Sequence, residues 1–420
     1  MKPKLLTSLQ DYNVTLFRGD VLAGITVALV AIPLSLAIAI ASGARPETGL
    51  VTAVVAGFLI SMLGGSSIQI GGPTGAFIVV VYGVTHVHGF HGLLLATAMA
   101  GVILLAAGFF GLGSLIRYVP AAVVHGFTLG IALIIVSSQV KDFLGLTLAV
   151  PTDFMQKVSV IFDSLPTTNI TAFSIGVSTI FLISAFRKFF PRVPGLIAVL
   201  VFMSSVSWYF GFDVETLGSQ FGVLDFDTIK FDFPQISYAL VAEMLPSSIV
   251  IAFLAGTESL LSAVVSDRMT GDQHRPNAEI VAQGVANIGS SLFGGLPATG
   301  AIARTATNFR AGGRTPVAGM VHAVTVLVIS FFAAPLASHL LMPAMAALLI
   351  HVAWNMSDPG NWLIFLKEGK LRERFLLCIT FGLTVLVDLT VAIGVGVGLG
   401  LLLQLKEDGL SSFDTKVRRK

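Results

Sequence analysis

Long apolar stretches alternate with short polar or glycine-rich breaks, and this alternation constrains the fold more than any other feature of the sequence. A helix needs about 20 apolar residues to cross the hydrocarbon core of a bilayer, and stretches of this kind recur from residue 20 to residue 405. Charged residues make up only 11% of the chain and the mean hydropathy is +0.88. Because so few charges cannot cover a water-facing surface, the sequence predicts an all-α membrane protein of many helices.

We place fourteen transmembrane segments on the sequence, two of them short. Residues 1–19 precede them without the apolar core of a signal peptide, and residues 406–420 follow as a polar tail. Cys378 is the only cysteine, which excludes disulfides and cysteine metal sites within one chain. The predicted intervals are 20–42, 48–64, 74–86, 90–112, 118–138, 171–189, 193–211, 237–266, 278–293, 300–309, 316–336, 340–355, 374–389 and 391–405.

Lysine and arginine are distributed unevenly between the two sides that these segments define. If the N-terminus is cytoplasmic, twenty of the 25 lie in inside loops and four in outside loops, namely Arg45, Lys141, Lys157 and Lys230. Cytoplasmic loops of membrane proteins are enriched in positive residues. The charge pattern therefore predicts a multi-pass protein of the cytoplasmic (inner) membrane with both termini in the cytoplasm. The net charge of only +2 argues against nucleic acid as a partner.

Two similar Gly/Pro motifs precede the short segments, the third and the tenth. The first is Gly-Gly-Pro-Thr-Gly-Ala at 71–76, and the second is Gly-Gly-Leu-Pro-Ala-Thr-Gly-Ala at 294–301. Interrupted segments at matched positions indicate a transporter binding site between inverted repeats. A half-helix that begins at mid-membrane presents unpaired N–H groups and a positive dipole end, which attract anions. Ordinary helix breaks used for packing are the alternative, and the repetition disfavours it.

Four stretches carry a resemblance to a known family. They are Gly19-Asp20 through Ala23-Gly24 with Pro33, Gly43, Pro46 and Gly49-Leu50; Gly72-Pro73-Thr74-Gly75; Pro297 through Thr305; and 346–356. On these residues the chain resembles the sulfate permease (SulP) family of anion transporters, bacterial type, over essentially its whole length. Most members carry a cytoplasmic STAS domain after the last helix. Here the chain stops soon after Gln404, so we expect a member that lacks this domain.

The resemblance implies two intertwined inverted repeats of seven segments, with segments 3 and 10 as half-helices. A core domain would comprise 20–112 and 236–336, and a gate domain would comprise 113–235 and 337–405. Transport would follow alternating access, in which the core moves against the gate and exposes one site to each side in turn.

The expected anion site lies between the two half-helix starts. Thr74 and Thr299 could offer hydroxyl groups or simply cap helices, and Ile38 and Ile302 could form apolar walls or ordinary core packing. Arg304 either adds positive potential near the anion or snorkels to the interface. The complete set of predicted substrate-binding residues is Ile38, Thr74, Gly75, Ala76, Phe77, Thr299, Gly300, Ala301, Ile302 and Arg304.

Glu258 lies inside an apolar segment, where a carboxylate is costly and indicates function. The resemblance implies that it faces the substrate site and serves ion coupling; a structural ion pair or helix cap is the alternative. Sodium-coupled members add hydroxyls, including one in the tenth segment, where this chain has Ile302. This favours H⁺ over Na⁺ as the coupling ion, although Ser262 remains a candidate sodium ligand. Glu243 is expected at the interface.

Three histidines, His86, His88 and His91, are close together in a predicted loop, which would be either a metal site or simply solvated. The stretch 312–315 lacks the lysine and spacing of a phosphate-binding loop, and no hydrolytic triad is evident. We therefore expect neither an enzyme nor a cofactor.

The leading hypothesis is a secondary active transporter of a small anion (sulfate, bicarbonate, chloride or a dicarboxylate), coupled to protons. The alternatives are a sodium-coupled bicarbonate transporter, an anion channel, and a nucleobase transporter of the same architecture. A nucleobase transporter usually uses carboxylates from segments 8 and 10, whereas the tenth segment here carries Arg304. The expected partners are the small inorganic or organic anion, the lipid bilayer and, as a candidate, a second copy of the chain in a homodimer.

Overall fold

The computed structural model describes residues 2–114, 120–148, 151, 153–190, 194–226, 231 and 236–417, with side chains up to residue 403. Within these ranges the chain is helical apart from one pair of two-residue strands, and 3₁₀ turns occur at Gly75–Phe77 and Leu165–Thr167. The elements are α1 (Leu5–Ser8), α2 (Val14–Ala41), α3 (Pro46–Leu63), β1 (Gly71–Gly72), α4 (Ile78–Phe109), α5 (Ala121–Leu144), α6 (Phe154–Ser164), α7 (Ile170–Phe189), α8 (Gly195–Phe210), α9 (Leu217–Phe221), α10 (Tyr238–Thr270), α11 (Pro276–Leu292), β2 (Thr299–Gly300), α12 (Ile302–Arg310), α13 (Val317–Ala337), α14 (Met342–Ser357), α15 (Pro359–Glu368), α16 (Leu371–Leu386) and α17 (Leu389–Val417).

Helices occupy all fourteen predicted intervals, so the all-α prediction is confirmed. In the described part of the chain, seven helices are long and apolar enough to cross a membrane: α2, α3, Gly75–Phe109, α5, α7, α10 and α13. Of the remaining helices, Gly195–Phe210 and Leu389–Leu403 are apolar but shorter, and α11 turns polar residues toward the protein interior. The number of crossings and the inverted repeat stay predictions.

The long helices pack in two groups. In the first group α4 packs against α10 and α11, α13 packs against α2 and α3, and α12 lies against α2 and α10. In the second group α5 lies against α14 and α16, with α7, α8 and α17 around them. Smaller contacts join the groups, such as α2 with α14 and α10 with α17. The first group contains the segments assigned to the core and the second those assigned to the gate, and the division into two domains stays a prediction.

The predicted loop around the three histidines is wrong. His86, His88 and His91 all lie in α4, on either side of Gly89, which has φ 68° and ψ −177°. Because glycine adopts a positive φ without steric cost, one residue redirects the helix where the sequence suggested a loop. His88 Nδ1 lies 3.6 Å from Glu243 Oε2, and no group of three side chains suited to a metal ion occurs among the described residues.

Short helices also occur outside the predicted segments: α1 lies in the predicted N-terminal stretch, and α6, α9 and α15 lie in predicted connections. The last helix, α17, continues to Val417, through much of the segment predicted as a polar tail. Of the charged residues used to predict the orientation, Arg117, Arg192, Lys230 and 418–420 lie outside the described residues.

Candidate functional site

A pair of short strands joins the two Gly/Pro motifs. Strand β1 pairs with β2 in the antiparallel sense, with Gly71 opposite Gly300 and Gly72 opposite Thr299. The Ala301 N–H also donates a hydrogen bond of 2.8 Å to the Ile70 carbonyl. All of these residues are buried, which suits extended backbone at membrane depth because no water can pair with it there. The strand pair thus fixes the two half-helix starts relative to each other.

Each strand leads directly into a helix start. Thr74 is extended and precedes the 3₁₀ turn before α4, and Ala301 is extended and precedes α12. Neither side chain caps the helix that follows. The first N–H groups of a helix lack intrahelical partners and carry the positive end of the dipole. Two ends that attract anions therefore lie beside one strand pair.

Glu258 on α10 reaches the first helix start. Its Oε2 accepts a hydrogen bond of 2.8 Å from Thr74 Oγ1. Both residues are partly exposed. Glu258 forms no ion pair within the described ranges. A structural ion pair with a buried arginine therefore does not explain why this carboxylate lies in an apolar segment.

Arg304 lies in the first turn of α12 and is only 2% exposed. Its Nη2 donates a hydrogen bond of 2.8 Å to the Pro73 carbonyl, which belongs to the first Gly/Pro motif. Its Nε and Nη1 have no partner, and no carboxylate pairs with it, among the residues described. Arg304 is therefore a buried cation beneath the helix starts and not a snorkelling side chain.

The other predicted ligands are arranged around this centre. Thr299 is fully buried and donates to the Ala255 carbonyl at 2.7 Å. Ser262 shares a hydrogen bond of 3.2 Å with Thr305 Oγ1 and is also fully buried. Both hydroxyl groups are therefore engaged with protein atoms and turned into the packed interior.

The apolar residues of the predicted set divide into buried and exposed members. Ile38 and Phe77 are each 2% exposed and belong to the main hydrophobic core. Ile302 is 42% exposed at the start of α12, and its neighbour Ala303 is also exposed. The start of α12 thus turns an apolar face outward while Arg304 points into the protein.

The first helix start faces the second helix group. A Cβ atom built on Gly75 would lie 3.5 Å from Met356 Sδ on α14 and 3.6 Å from Ile135 Cδ1 on α5. A Cβ atom on Gly300 would instead collide with Gln69 Nε2. Gly75 therefore lies at the boundary between the groups, whereas Gly300 packs inward.

A buried polar network that the sequence prediction missed supports the strand pair. Glu279 Oε1 accepts hydrogen bonds of 2.8 Å from Ser259 Oγ and Gln283 Nε2, and Gln69 Nε2 donates to Ser259 Oγ at 2.8 Å. Farther along α11, Asn287 bonds both the N–H and the carbonyl of Ala298 in the second motif. The sequence does contain the pattern that predicts this polar face, because Glu279, Gln283 and Asn287 are spaced four residues apart and therefore share one face of α11.

Comparison with known proteins identifies the group to which this chain belongs. A profile described as the sulfate permease family matches residues 17–380. The chain belongs to the sulfate permease family. It is 44% identical over 384 residues to the putative sulfate transporter YvdB of Bacillus subtilis (strain 168), with 91% of this chain and 72% of that protein covered. It is 33% identical to the bicarbonate transporter BicA of Picosynechococcus sp., with 89% and 68% covered.

Solved structures give the same fold. The transmembrane domain of a cyanobacterium bicarbonate transporter BicA matches with a TM-score of 0.81 at 29% identity, covering 91% of this chain and 98% of that one. The structure of SLC26A9 matches with a TM-score of 0.85 at 17% identity, covering 96% and 68%, which shows likeness of fold alone. The predictions of a multi-pass membrane protein, of anion transport and of a protein that is not an enzyme are confirmed.

Proposed function

We propose that this chain is a secondary active transporter that carries a small oxyanion, sulfate or bicarbonate, together with protons across the cytoplasmic membrane. The observation that carries the proposal is Arg304, a buried cation without a carboxylate partner in the described ranges, next to two helix starts. A buried charge is costly unless it is compensated, and a bound anion would compensate it. The relatives named for sulfate and for bicarbonate transport support an oxyanion as the cargo.

Proton coupling is supported by the contact between Thr74 and Glu258. This contact puts the carboxyl group at a helix start that attracts the anion, so an ionised Glu258 would repel the cargo. Protonation removes the repulsion, and by linkage the anion and the proton each strengthen the binding of the other. Sodium coupling is less well supported, since Ser262 bonds to Thr305 and Ile302 offers no oxygen ligand.

Alternating access is the movement we propose for transport. The first helix group, which carries both half-helix starts, would act as the core, and the second as the gate. Gly75 faces Met356 and Ile135 of the second group, so relative movement of the groups would change access to the site. Both termini would be cytoplasmic. One chain supplies all the site residues, and a homodimer would therefore carry two sites.

The test is uptake into proteoliposomes that contain the purified protein. Radiolabelled sulfate or bicarbonate is offered outside, with an inward proton gradient, an inward sodium gradient or neither. We expect the anion to be concentrated with the proton gradient alone. Accumulation that requires sodium would favour the sodium-coupled alternative, and flux that never exceeds equilibration would favour a channel.

A further inference from the structure

His322 on α13 is a buried polar residue that the proposed transport cycle does not use. It is 0% exposed, and neither ring nitrogen has a hydrogen-bond partner among the described residues. Ser61 Oγ on α3 is also buried without a hydrogen-bond partner in the described part of the chain, and so are Nε and Nη1 of Arg304. Buried polar groups are nearly always paired, so unpaired ones in one region indicate an unseen partner such as ordered water.

The contacts of α3 show that these groups are neighbours. A Cβ atom on Gly57 would lie 3.9 Å from His322 Cδ2 and 3.2 Å from the Gly71 carbonyl. A Cβ atom on the adjacent Gly72 would collide with Arg304 Nη1. Arg304 Nη1 therefore lies against Gly72, and His322 lies against Gly57, which itself packs on the neighbouring Gly71.

Ser61 extends the same surface. It lies one helical turn beyond Gly57 on α3, and a Cβ atom on Gly319 would collide with its Oγ. Gly319 precedes His322 by three residues and shares its helix face. The three unpaired side chains thus belong to one interior region bounded by α3, β1, α12 and α13.

The donors and acceptors of these groups indicate which molecule could bind between them. Arg304 offers only donors, and Ser61 offers a donor and acceptors. In its neutral form the His322 imidazole offers one donor and one acceptor. Water can accept from Arg304 and donate to His322 at once. Asp20, the one carboxylate on α2, already accepts hydrogen bonds from the Thr315 hydroxyl and the Arg314 N–H.

We propose that Arg304, His322 and Ser61 form a buried water site behind the anion site, and that His322 is a positioning residue that holds the Arg304 guanidinium through that water. The water site itself is independent of the proposed function; its effect on anion binding rests on that function. Apolar cavities stay dry, but polar ones with two to four partners hold water.

The first test detects the water directly by radiolytic labelling of the purified protein in nanodiscs, followed by mass spectrometry. Hydroxyl radicals formed from bound water would oxidise His322 although it is buried. Phe127, which is also 0% exposed but lies in the hydrophobic core, is the control and should remain unlabelled. Absence of label at His322 would overturn the proposal, and label lost on addition of sulfate would assign the region to the anion instead.

The second test separates positioning from packing by sulfate binding to three variants. We expect His322→Leu to weaken binding about tenfold, the effect of losing one hydrogen bond to a charged group, and His322→Gln to retain it. Val326→Ala, a buried change one turn along α13, controls for lost packing and should leave affinity unchanged. Equal weakening in Val326→Ala, or none in His322→Leu, would refute the positioning role. A wild-type protein that binds no sulfate or bicarbonate would refute the proposed function while the labelling test still decides the water site.

Discussion

Glu258 accepts its hydrogen bond from Thr74 at the start of the first half-helix, which ties the proposed coupling group to the anion site. Glutamine preserves the shape and the acceptor oxygen but cannot exchange a proton. We expect Glu258→Gln to exchange sulfate between two sides of a proteoliposome membrane while losing accumulation driven by a proton gradient. Glu243→Gln, a change at an exposed position of the same helix, should behave like wild type. Proton-driven accumulation that persists in Glu258→Gln would contradict the assignment.

Arg304 supplies the positive charge for which the described protein residues provide no counter-charge. Replacing it by glutamine removes that charge and its bond to the Pro73 carbonyl. Hydrogen bonds to charged groups contribute about 1.5–3 kcal/mol, so we expect sulfate to bind roughly 10–100-fold more weakly to Arg304→Gln. Arg310→Gln, at the exposed end of the same short helix, is the matched control. Equal sulfate affinities in the two variants, measured by calorimetry on folded protein, would show that Arg304 does not contribute to the anion site.

Gly75 lies where the two helix groups meet. An added methyl group would make ordinary contact with Met356 and Ile135, so Gly75→Ala should fold normally but hinder movement of one group against the other. We expect a several-fold lower rate of sulfate exchange with a nearly unchanged thermal midpoint. Gly83→Ala on α4, where a Cβ atom meets nothing within 4 Å, should exchange at the wild-type rate. A wild-type rate in Gly75→Ala would show that this contact does not limit transport.

At the scale of elements, α1 is docked onto the loop between α10 and α11. Lys4 Nζ lies 2.7 Å from Asp272 Oδ1, and Arg275 Nη1 donates to the Lys2 carbonyl at 2.8 Å. Partial burial alone would raise the pKa of Asp272, but the hydrogen bonds from Lys4 and from the Gln273 N–H, with the Lys4 charge, outweigh it and hold the pKa below its usual range.

A carboxyl group whose pKa is lowered on folding stabilises the folded form above its unfolded pKa, and this contribution is lost as the pH falls. We therefore expect α1 to loosen below about pH 4, and Asp272→Asn to loosen it already at neutral pH. Amide hydrogen exchange of residues 4–9, corrected for the intrinsic rate at each pH, measures this. Asp267→Asn, which breaks the neighbouring pair with His274, should leave α1 protected. Unchanged exchange in Asp272→Asn would show that the backbone contacts of α1 suffice.

The sequence predicted some elements well because their signals are local. Apolar runs located the long helices, and the repeated Gly/Pro motifs located both half-helix starts, since proline, glycine and threonine impose their effects on the residues beside them. Glu258 could be selected because a single carboxylate stands out in an apolar run. The break between the predicted segments 74–86 and 90–112 was located, but its form was not: it is the single residue Gly89, because one glycine in a helical pattern does not reveal its φ angle in advance.

Contacts between distant segments could not be predicted from the sequence. The Thr74 hydroxyl could cap its own helix or bind a partner, and only the fold brings Glu258 to it across 184 positions. The sequence allowed Arg304 to be either interfacial or buried. Its burial depends on how α12 is rotated against α10 and α2. Glu279 lies close to a predicted segment boundary, so its burial inside a polar network depends on residues contributed by other helices.

At the scale of the whole molecule, the orientation in the membrane can be tested with the short helices that the sequence did not predict. Asp163 on α6 would lie outside and Lys367 on α15 would lie inside, and both are exposed. In a background with Cys378→Ser, we expect a membrane-impermeant maleimide to label Asp163→Cys in intact cells and Lys367→Cys only after permeabilisation. The reverse labelling pattern would show that the protein has the opposite orientation in the membrane.

The pairing of β1 with β2 also affects how the protein is made. The contact between Arg304 and Pro73 spans 231 positions of sequence, and a chain is inserted from its N-terminus onward. The first Gly/Pro motif therefore enters the membrane before its strand partner β2, and before Arg304 on α12, has been synthesised. With the proposed function, the anion would bind only after that moment, and because a ligand stabilises only the state that binds it, the cargo would stabilise completed chains over unfinished ones.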